Sequence, residues 1–167
     1  MKTTHFKKEK LLSITLLFTT LFGLVSIRPA HAVTDCRTIP SVVESANPYA
    51  NNRMGGHLNK HIFSMQAPPT TKAEGATLYE RIDDWLAVWD AYKQKAVIAV
   101  PDCSGGKVDP KVKLYPIVRG HTCLTQDPLN KTQCTKLDPT DFKPKEHVFV
   151  FDKKNGKWII LTAFPKK

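Results

Sequence analysis

The chain has 167 residues, of which 25 are Lys or Arg and 15 Asp or Glu, and it holds four cysteines. That length suits one domain with a real core, and the absence of internal repeats and low-complexity tracts excludes repeat and disordered classes. The net charge of +10 points to anionic partners such as nucleic acid or an acidic surface.

Residues 1–32 read as a removable secretory signal. Lys2, Lys7, Lys8 and Lys10 form a charged start, residues 11–27 are an uncharged apolar run, and Ala30-His31-Ala32 is a small-residue cleavage site. The alternative is an uncleaved anchor, but the run is short for a span of about 20 residues. Cleavage after Ala32 leaves 135 residues with a net charge of +6, because five basic residues and one acidic residue go with the signal. No later stretch is apolar enough to cross a bilayer, so a soluble, secreted or periplasmic protein without stable membrane insertion is expected. Cys36, Cys103, Cys123 and Cys134 all follow the cleavage site, and an even count in an oxidising compartment predicts two disulfides. Of the three possible pairings, Cys123–Cys134 with Cys36–Cys103 is preferred, since the first closes a short polar loop and the second ties the N-terminal arm to the body. A zinc site would want a C-x-x-C spacing, which is missing.

Residues 33–40 read as an extended arm, 41–46 as a short helix before Asn47-Pro48, and 51–56 as a loop. Residues 57–65 carry Leu58, Ile62 and Met65 at spacings of four and three, which predicts a helix. Ala67-Pro68-Pro69 ends it. A stronger helix is predicted over 76–95, where Leu78, Ile82, Trp85, Leu86, Trp89 and Tyr92 form one apolar stripe suited to a core. Beyond it the pattern becomes strand-like over 96–100, 112–118, 147–152 and 157–164, the last two joined by an Asn155-Gly156 turn. Residues 120–145, rich in Pro, Asp, Thr and Lys, read as a long loop stapled by a disulfide, and Asn130-Lys131-Thr132 within it as ordinary loop polarity. Helices first and strands second predict an α+β domain over 33–167, with N-terminal helices packed on a C-terminal antiparallel sheet.

Neither a nucleotide-binding glycine loop nor a G-x-S-x-G elbow is present. His57 and His61 stand four apart, but a zinc-protease helix needs Glu at position 58, which is Leu, so no metal or cofactor is expected. A surface or hydrogen-bonded structural role is the bland alternative for each histidine.

Three segments carry a resemblance: Gly55-Gly56-His57-Leu58-Asn59-Lys60-His61-Ile62, Ala76-Thr77-Leu78-Tyr79-Glu80-Arg81-Ile82, and Trp158-Ile159-Ile160-Leu161-Thr162-Ala163-Phe164-Pro165. In this order they resemble the RNase A-like ribonuclease domains at the C-terminal ends of bacterial contact-dependent inhibition toxins. Those domains pair a G-G-H-x-x-x-H-V helix with an L-x-x-R-[LI] helix and end on a hairpin whose last strand reads like T-A-Y-P. The likeness spans most of 55–165. It implies an RNase A-like fold in which His61 is the catalytic histidine, Arg81 binds phosphate and Thr162 is the active-site threonine. The stretch between His61 and Arg81 is longer than the family's, and Phe164 stands where the family has a tyrosine.

The chemistry suits these side chains. Metal-free RNA cleavage needs a base for the 2′-OH, an acid for the leaving 5′-oxygen, and cations on the phosphorane. Imidazole titrates near neutrality, and a guanidinium fork matches phosphate oxygens. His57, Lys60, His121 and Tyr79 are the candidates for the second proton-transfer group, and His57, Lys60, His121 and Phe164 for substrate contact. The expectation is a monomeric, exported, metal-independent endoribonuclease that leaves a 2′,3′-cyclic phosphate. A toxin role with a cognate immunity protein follows from the resemblance. The competing expectations are a non-catalytic periplasmic binding protein, such as an inhibitor or immunity factor, and a surface-binding module using the basic charge.

Overall fold

The last two strands organise the domain. β5 (Glu146–Lys154) and β6 (Lys157–Lys166) pair antiparallel along their whole length. Asn155 and Gly156 join them with φ of 50° and 76°, the left-handed pair that lets a two-residue turn match the strand twist. A two-residue strand, β2 (Lys111–Val112), adds to β5 to give the order β2-β5-β6. A second antiparallel sheet runs β1-β3-β4, from Thr77–Leu78, His121–Gln126 and Cys134–Leu137. The architecture is therefore α+β, with helices in the N-terminal half and strands C-terminal. This computed structural model describes residues 32–65, 75–96, 100–114, 118–126 and 134–167, which belong to one unit of the chain, His31–Lys167. The expected signal up to residue 31, the Pro68-Pro69 break, the Asn130-Lys131-Thr132 sequon, and the middles of the runs 96–100 and 112–118 lie outside those residues.

A β-bulge divides the two faces of β6. Val150 opposes Thr162 and Phe151 opposes Ile160, so Leu161 is an extra residue. On one face Phe149, Phe151, Ile160 and Ala163 meet helix α3 (Ile82–Gln94) through Trp85, Val88, Trp89 and Tyr92. Phe149 sits at the centre, with its ring centroid 4.1 Å from Tyr92 and 5.8 Å from Trp85. The period-two rule places Val148, Val150, Thr162 and Phe164 together on the opposite face. Without the bulge, Thr162 and Phe164 would continue the Ile160 side and face the aromatic core.

The far edge of β6 is closed by polar groups rather than by another strand. The Ser41 hydroxyl of α1 (Pro40–Glu44) donates to the Trp158 carbonyl at 2.7 Å, and Ile160 N–H donates to the Ser45 hydroxyl at 2.8 Å. Asn51 of α2 (Pro48–Arg53) donates to the Ile160 and Ser45 carbonyls and accepts from Leu58 N–H. His57 N–H donates to Leu161 at 2.8 Å, and the Thr77 hydroxyl donates to the Pro165 carbonyl. An open edge would be a template for pairing with other chains. This seal also explains the glycine pair. Gly55 ends α2 at φ 88°, and a Cβ on Gly56 would overlap the Asn51 amide.

Several expectations are corrected. Residues 57–65 do not form an α-helix but two 3₁₀ turns, Leu58–His61 and Phe63–Met65, broken at Ile62. Ile62 bridges Tyr79 in parallel, and Tyr79 N–H donates to the His61 carbonyl that an α-helix would have given to Met65. The second helix starts at Ile82, not near 76, because Thr77 and Leu78 pair with Thr122 and His121. Leu78 consequently leaves the helical stripe and packs with Cys123 and Cys134 in a separate small cluster, while Leu86 is exposed. Residues 51–53 belong to α2, capped by the Asn47 side chain, rather than to a loop. The expected loop 120–145 contains β3 and β4. Within the described part of the expected strand at 112–118, Val112 pairs with His147, and Lys113 and Leu114 carry no strand pairing.

Cys36–Cys103 and Cys123–Cys134 are the two disulfides, with Cα–Cα distances of 5.1 and 5.7 Å, and they use all four cysteines. Among the described residues no helix is long and apolar enough to cross a membrane.

Candidate functional site

His61 ends the first 3₁₀ turn, where its backbone is held against Tyr79. Its ring is only 7% exposed and stacks on Phe164, centroids 4.9 Å apart and planes 20° from parallel. Its Nδ1 lies 3.2 Å from the Thr77 carbonyl. A carbonyl can only accept, so this bond assigns the proton to Nδ1; in the neutral ring the lone pair then sits on Nε2. Thr162 precedes Phe164 by two residues on the same face of β6. Its hydroxyl is buried and has no hydrogen-bond partner. Val148 and Val150, both buried, lie opposite Phe164 and Thr162 and make the surroundings apolar. An oriented imidazole and an unpartnered hydroxyl thus belong to one dry sheet face, at the seam where β1 meets β6.

The other predicted residues are distributed around this pair. Arg81 is the N-cap residue of α3; its N–H donates to the Asp84 carboxylate at 2.9 Å. Its guanidinium is 67% exposed and lies 3.7 Å from the same carboxylate, so it faces solvent rather than packing on Thr162. Its chain position is close to His61 all the same, because Ser64 N–H donates to the Glu80 carbonyl at 3.1 Å. His57 and Lys60 flank the His61 turn and are half-buried. His121 stands on β3 opposite Leu78, with its Nε2 3.7 Å from the Glu80 carboxylate. The structure therefore joins it to the second sheet rather than to the Phe164 ring.

Tyr79 is removed from the proton-transfer candidates. It is fully buried, and its hydroxyl lies 3.0 Å from His147 Nδ1, with the two rings stacked. Burial pushes the Tyr79 phenol well above its usual range, so it remains the donor. Burial likewise pulls His147 down to about 4, which keeps this imidazole neutral at pH 7. His147 pairs with Pro165 and shares the core face with Phe149. It is the histidine that sequence reasoning passed over, since it opens an apolar strand with no motif around it. The Thr77 carbonyl that orients His61 was invisible for a different reason: a backbone acceptor has no residue signature.

No family model, curated protein or solved structure matches the chain. Among the described residues no group of three or more His, Cys, Asp or Glu is arranged to hold a metal ion.

Proposed function

We propose that this protein is an exported, metal-independent ribonuclease whose proton-transfer group is His61. The observation that carries the reading is the shared face of His61 and Thr162, with the imidazole held between Phe164 and the Thr77 carbonyl. The two disulfides support an oxidising destination.

The chemistry follows from these groups. Nε2 takes the proton of a ribose 2′-OH, and the 2′-oxygen attacks the adjacent phosphorus. The bond from phosphorus to the 5′-oxygen breaks, leaving a 2′,3′-cyclic phosphate and, after protonation, a 5′-hydroxyl. The Thr162 hydroxyl donates to a non-bridging oxygen whose charge grows in the transition state. Its present lack of a partner is what such a donor needs before substrate arrives. Arg81, whose guanidinium is exposed, supplies positive charge by exchanging the half-buried Asp84 carboxylate for phosphate, a modest cost at their 3.7 Å separation. Lys60 or His57, in the same turn as His61, returns the proton to the leaving oxygen. Phe164 cannot do so; it holds the imidazole plane instead.

The test is RNA cleavage by the purified protein in EDTA, with product analysis for the cyclic phosphate. His61→Ala should lose at least about 100-fold in rate, the range for a proton-transfer group, and His61→Gln, which keeps a polar side chain there, should lose as much with a smaller change in melting temperature. Full activity in either variant, or cleavage that needs an added divalent ion, overturns the reading. The engagement of Arg81 by Asp84 favours a second reading, a non-catalytic binding protein. That reading predicts intact RNA and one stoichiometric protein partner.

A further inference from the structure

At the end of the sheet β2-β5-β6 the chain leaves a cleft of about 620 Å³ lined by Lys113, Lys143, Lys145, Lys166 and Lys167, together with Glu146. The lysines come from three separate stretches. Lys113 follows β2, Lys143 and Lys145 precede β5, and Lys166 and Lys167 end β6. Sheet pairing brings these ends together: Lys111 pairs with Val148, Glu146 with Lys166, and Lys145 N–H donates to the Lys166 carbonyl at 2.9 Å.

Glu146 lies 3.3 Å from Lys166 and offsets part of that one ammonium's charge. Lys167 lies over the Phe142 ring, 5.2 Å from its centroid. Five cations around one concavity repel each other, and a bound polyanion relieves that repulsion.

The cleft and the candidate site share one face of β6. Thr162, Phe164 and Lys166 alternate along β6 on one face, and Glu146, Val148 and Val150 lie opposite them. At about 3.3 Å per residue, Lys166 stands roughly 7 Å from Phe164 and 13 Å from Thr162. We propose that this lysine-lined cleft is the phosphate-backbone subsite of a single-stranded RNA whose reacting linkage lies at His61 and Thr162. The proposal rests on the ribonuclease reading above and gives it a substrate path: flexible single strand, tracked by charge rather than by base identity.

The experiment separates binding from cleavage. A 2′-O-methyl single-stranded oligonucleotide lacks the nucleophile, so its affinity is read across a salt series without turnover. Each lysine-phosphate contact contributes about 0.7 to the slope of log affinity against log salt for a single strand. The triple variant Lys113→Gln/Lys145→Gln/Lys167→Gln should lower the slope by about 2, and the matching triple Lys→Arg variant should restore it. With cleavable RNA the Gln triple should raise KM with little change in kcat. All three positions are on the cleft rim, and an unchanged melting temperature checks the fold. His61→Ala should leave the slope alone. Equal slopes for the wild type and the Gln triple overturn the subsite even if His61-dependent cleavage is found. Lysine-dependent binding of an acidic protein with no affinity for the oligonucleotide overturns it as well. A lysine-dependent slope without any RNA cleavage keeps the subsite and sinks the ribonuclease.

Discussion

The two sheets of this domain are held by different means. The sheet β2-β5-β6 lies against α3 with Trp85, Trp89, Tyr92, Phe149 and Phe151 in contact, a broad aromatic core. Among the described residues the sheet β1-β3-β4 buries Leu78, Cys123 and Cys134, with Phe63 and Leu137 partly covered. So few apolar contacts leave the Cys123–Cys134 bond as a main support of its hairpin. The Cys36–Cys103 bond belongs to the first region and joins residues 67 apart, whereas Cys123–Cys134 joins residues 11 apart. His61 sits where the two regions meet. Its ring stacks on β6, but its Nδ1 partner, Thr77, belongs to β1. The weaker sheet therefore orients His61, the group to which the proposed function gives the proton transfer.

The largest expected effect comes from opening the long loop. Loop-closure entropy assigns about 4 kcal/mol to a bridge across 67 residues, so Cys36→Ser/Cys103→Ser should lower global stability by that order in denaturant unfolding. Both sulfurs are buried in the main core, and the loss should appear equally by near-UV and far-UV signals. A protein as stable as wild type would mean that the aromatic core alone carries the first region.

His147 gives the main body a pH response of similar size. Its pKa falls from 6.5 in the unfolded chain to about 4 in the core. A base whose folded pKa is depressed binds fewer protons when native. Its contribution is therefore complete above pH 6.5 and is lost as pH falls from 6.5 to 4. The shift is worth about 3 kcal/mol. His147→Gln keeps an acceptor for the Tyr79 hydroxyl and removes the titration. The stability difference between the two proteins should change by that amount across the window. A difference independent of pH would mean that the imidazole is charged or hydrated in the fold.

Much of this comparison was legible beforehand. The hairpin, expected from strands 147–152 and 157–164, the stripe Trp85, Trp89 and Tyr92, and the preferred one of three cysteine pairings were all readable from local pattern and spacing. What escaped was decided by long-range backbone pairing. The Leu58, Ile62, Met65 spacing fits a helix, yet the His61 carbonyl accepts from Tyr79, far along the chain. Leu78 fits the stripe of α3, yet pairing with His121 carries it into the other cluster. β3 and β4 hid behind polar composition because a disulfide substitutes for the apolar face that usually marks a strand. His61, Thr162 and Phe164 were visible as a motif, but their common face depends on the Leu161 bulge, which a one-residue pattern cannot reveal.

A smaller global effect is expected at the second bridge. Loop entropy gives about 3 kcal/mol for 11 residues, but the loss should fall on the β1-β3-β4 region by local opening. In Cys123→Ser/Cys134→Ser, amide exchange should quicken at Cys123 and Leu78 while Phe149 and Ile160 remain protected. RNA cleavage should drop with it, because β1 orients His61. Unchanged cleavage with an opened second sheet would sever the proposed dependence of the site on β1.

The smallest stability effect separates a catalytic threonine from a structural one. A buried threonine normally loses stability on conversion to valine, because its hydroxyl has a partner that is left behind. Thr162 has none among the described residues: its oxygen is buried on β6 opposite Val150. Thr162→Val keeps the β-branched shape and removes a desolvated polar group, so stability should be unchanged or higher by about 1 kcal/mol. If the hydroxyl steadies a transition-state oxygen, the same variant should lose about 100-fold or more in kcat. Thermal melting and single-turnover cleavage on one preparation decide it. Loss of both stability and activity would place Thr162 in an ordinary packing role, whereas loss of activity alone identifies a hydroxyl held in readiness for phosphate.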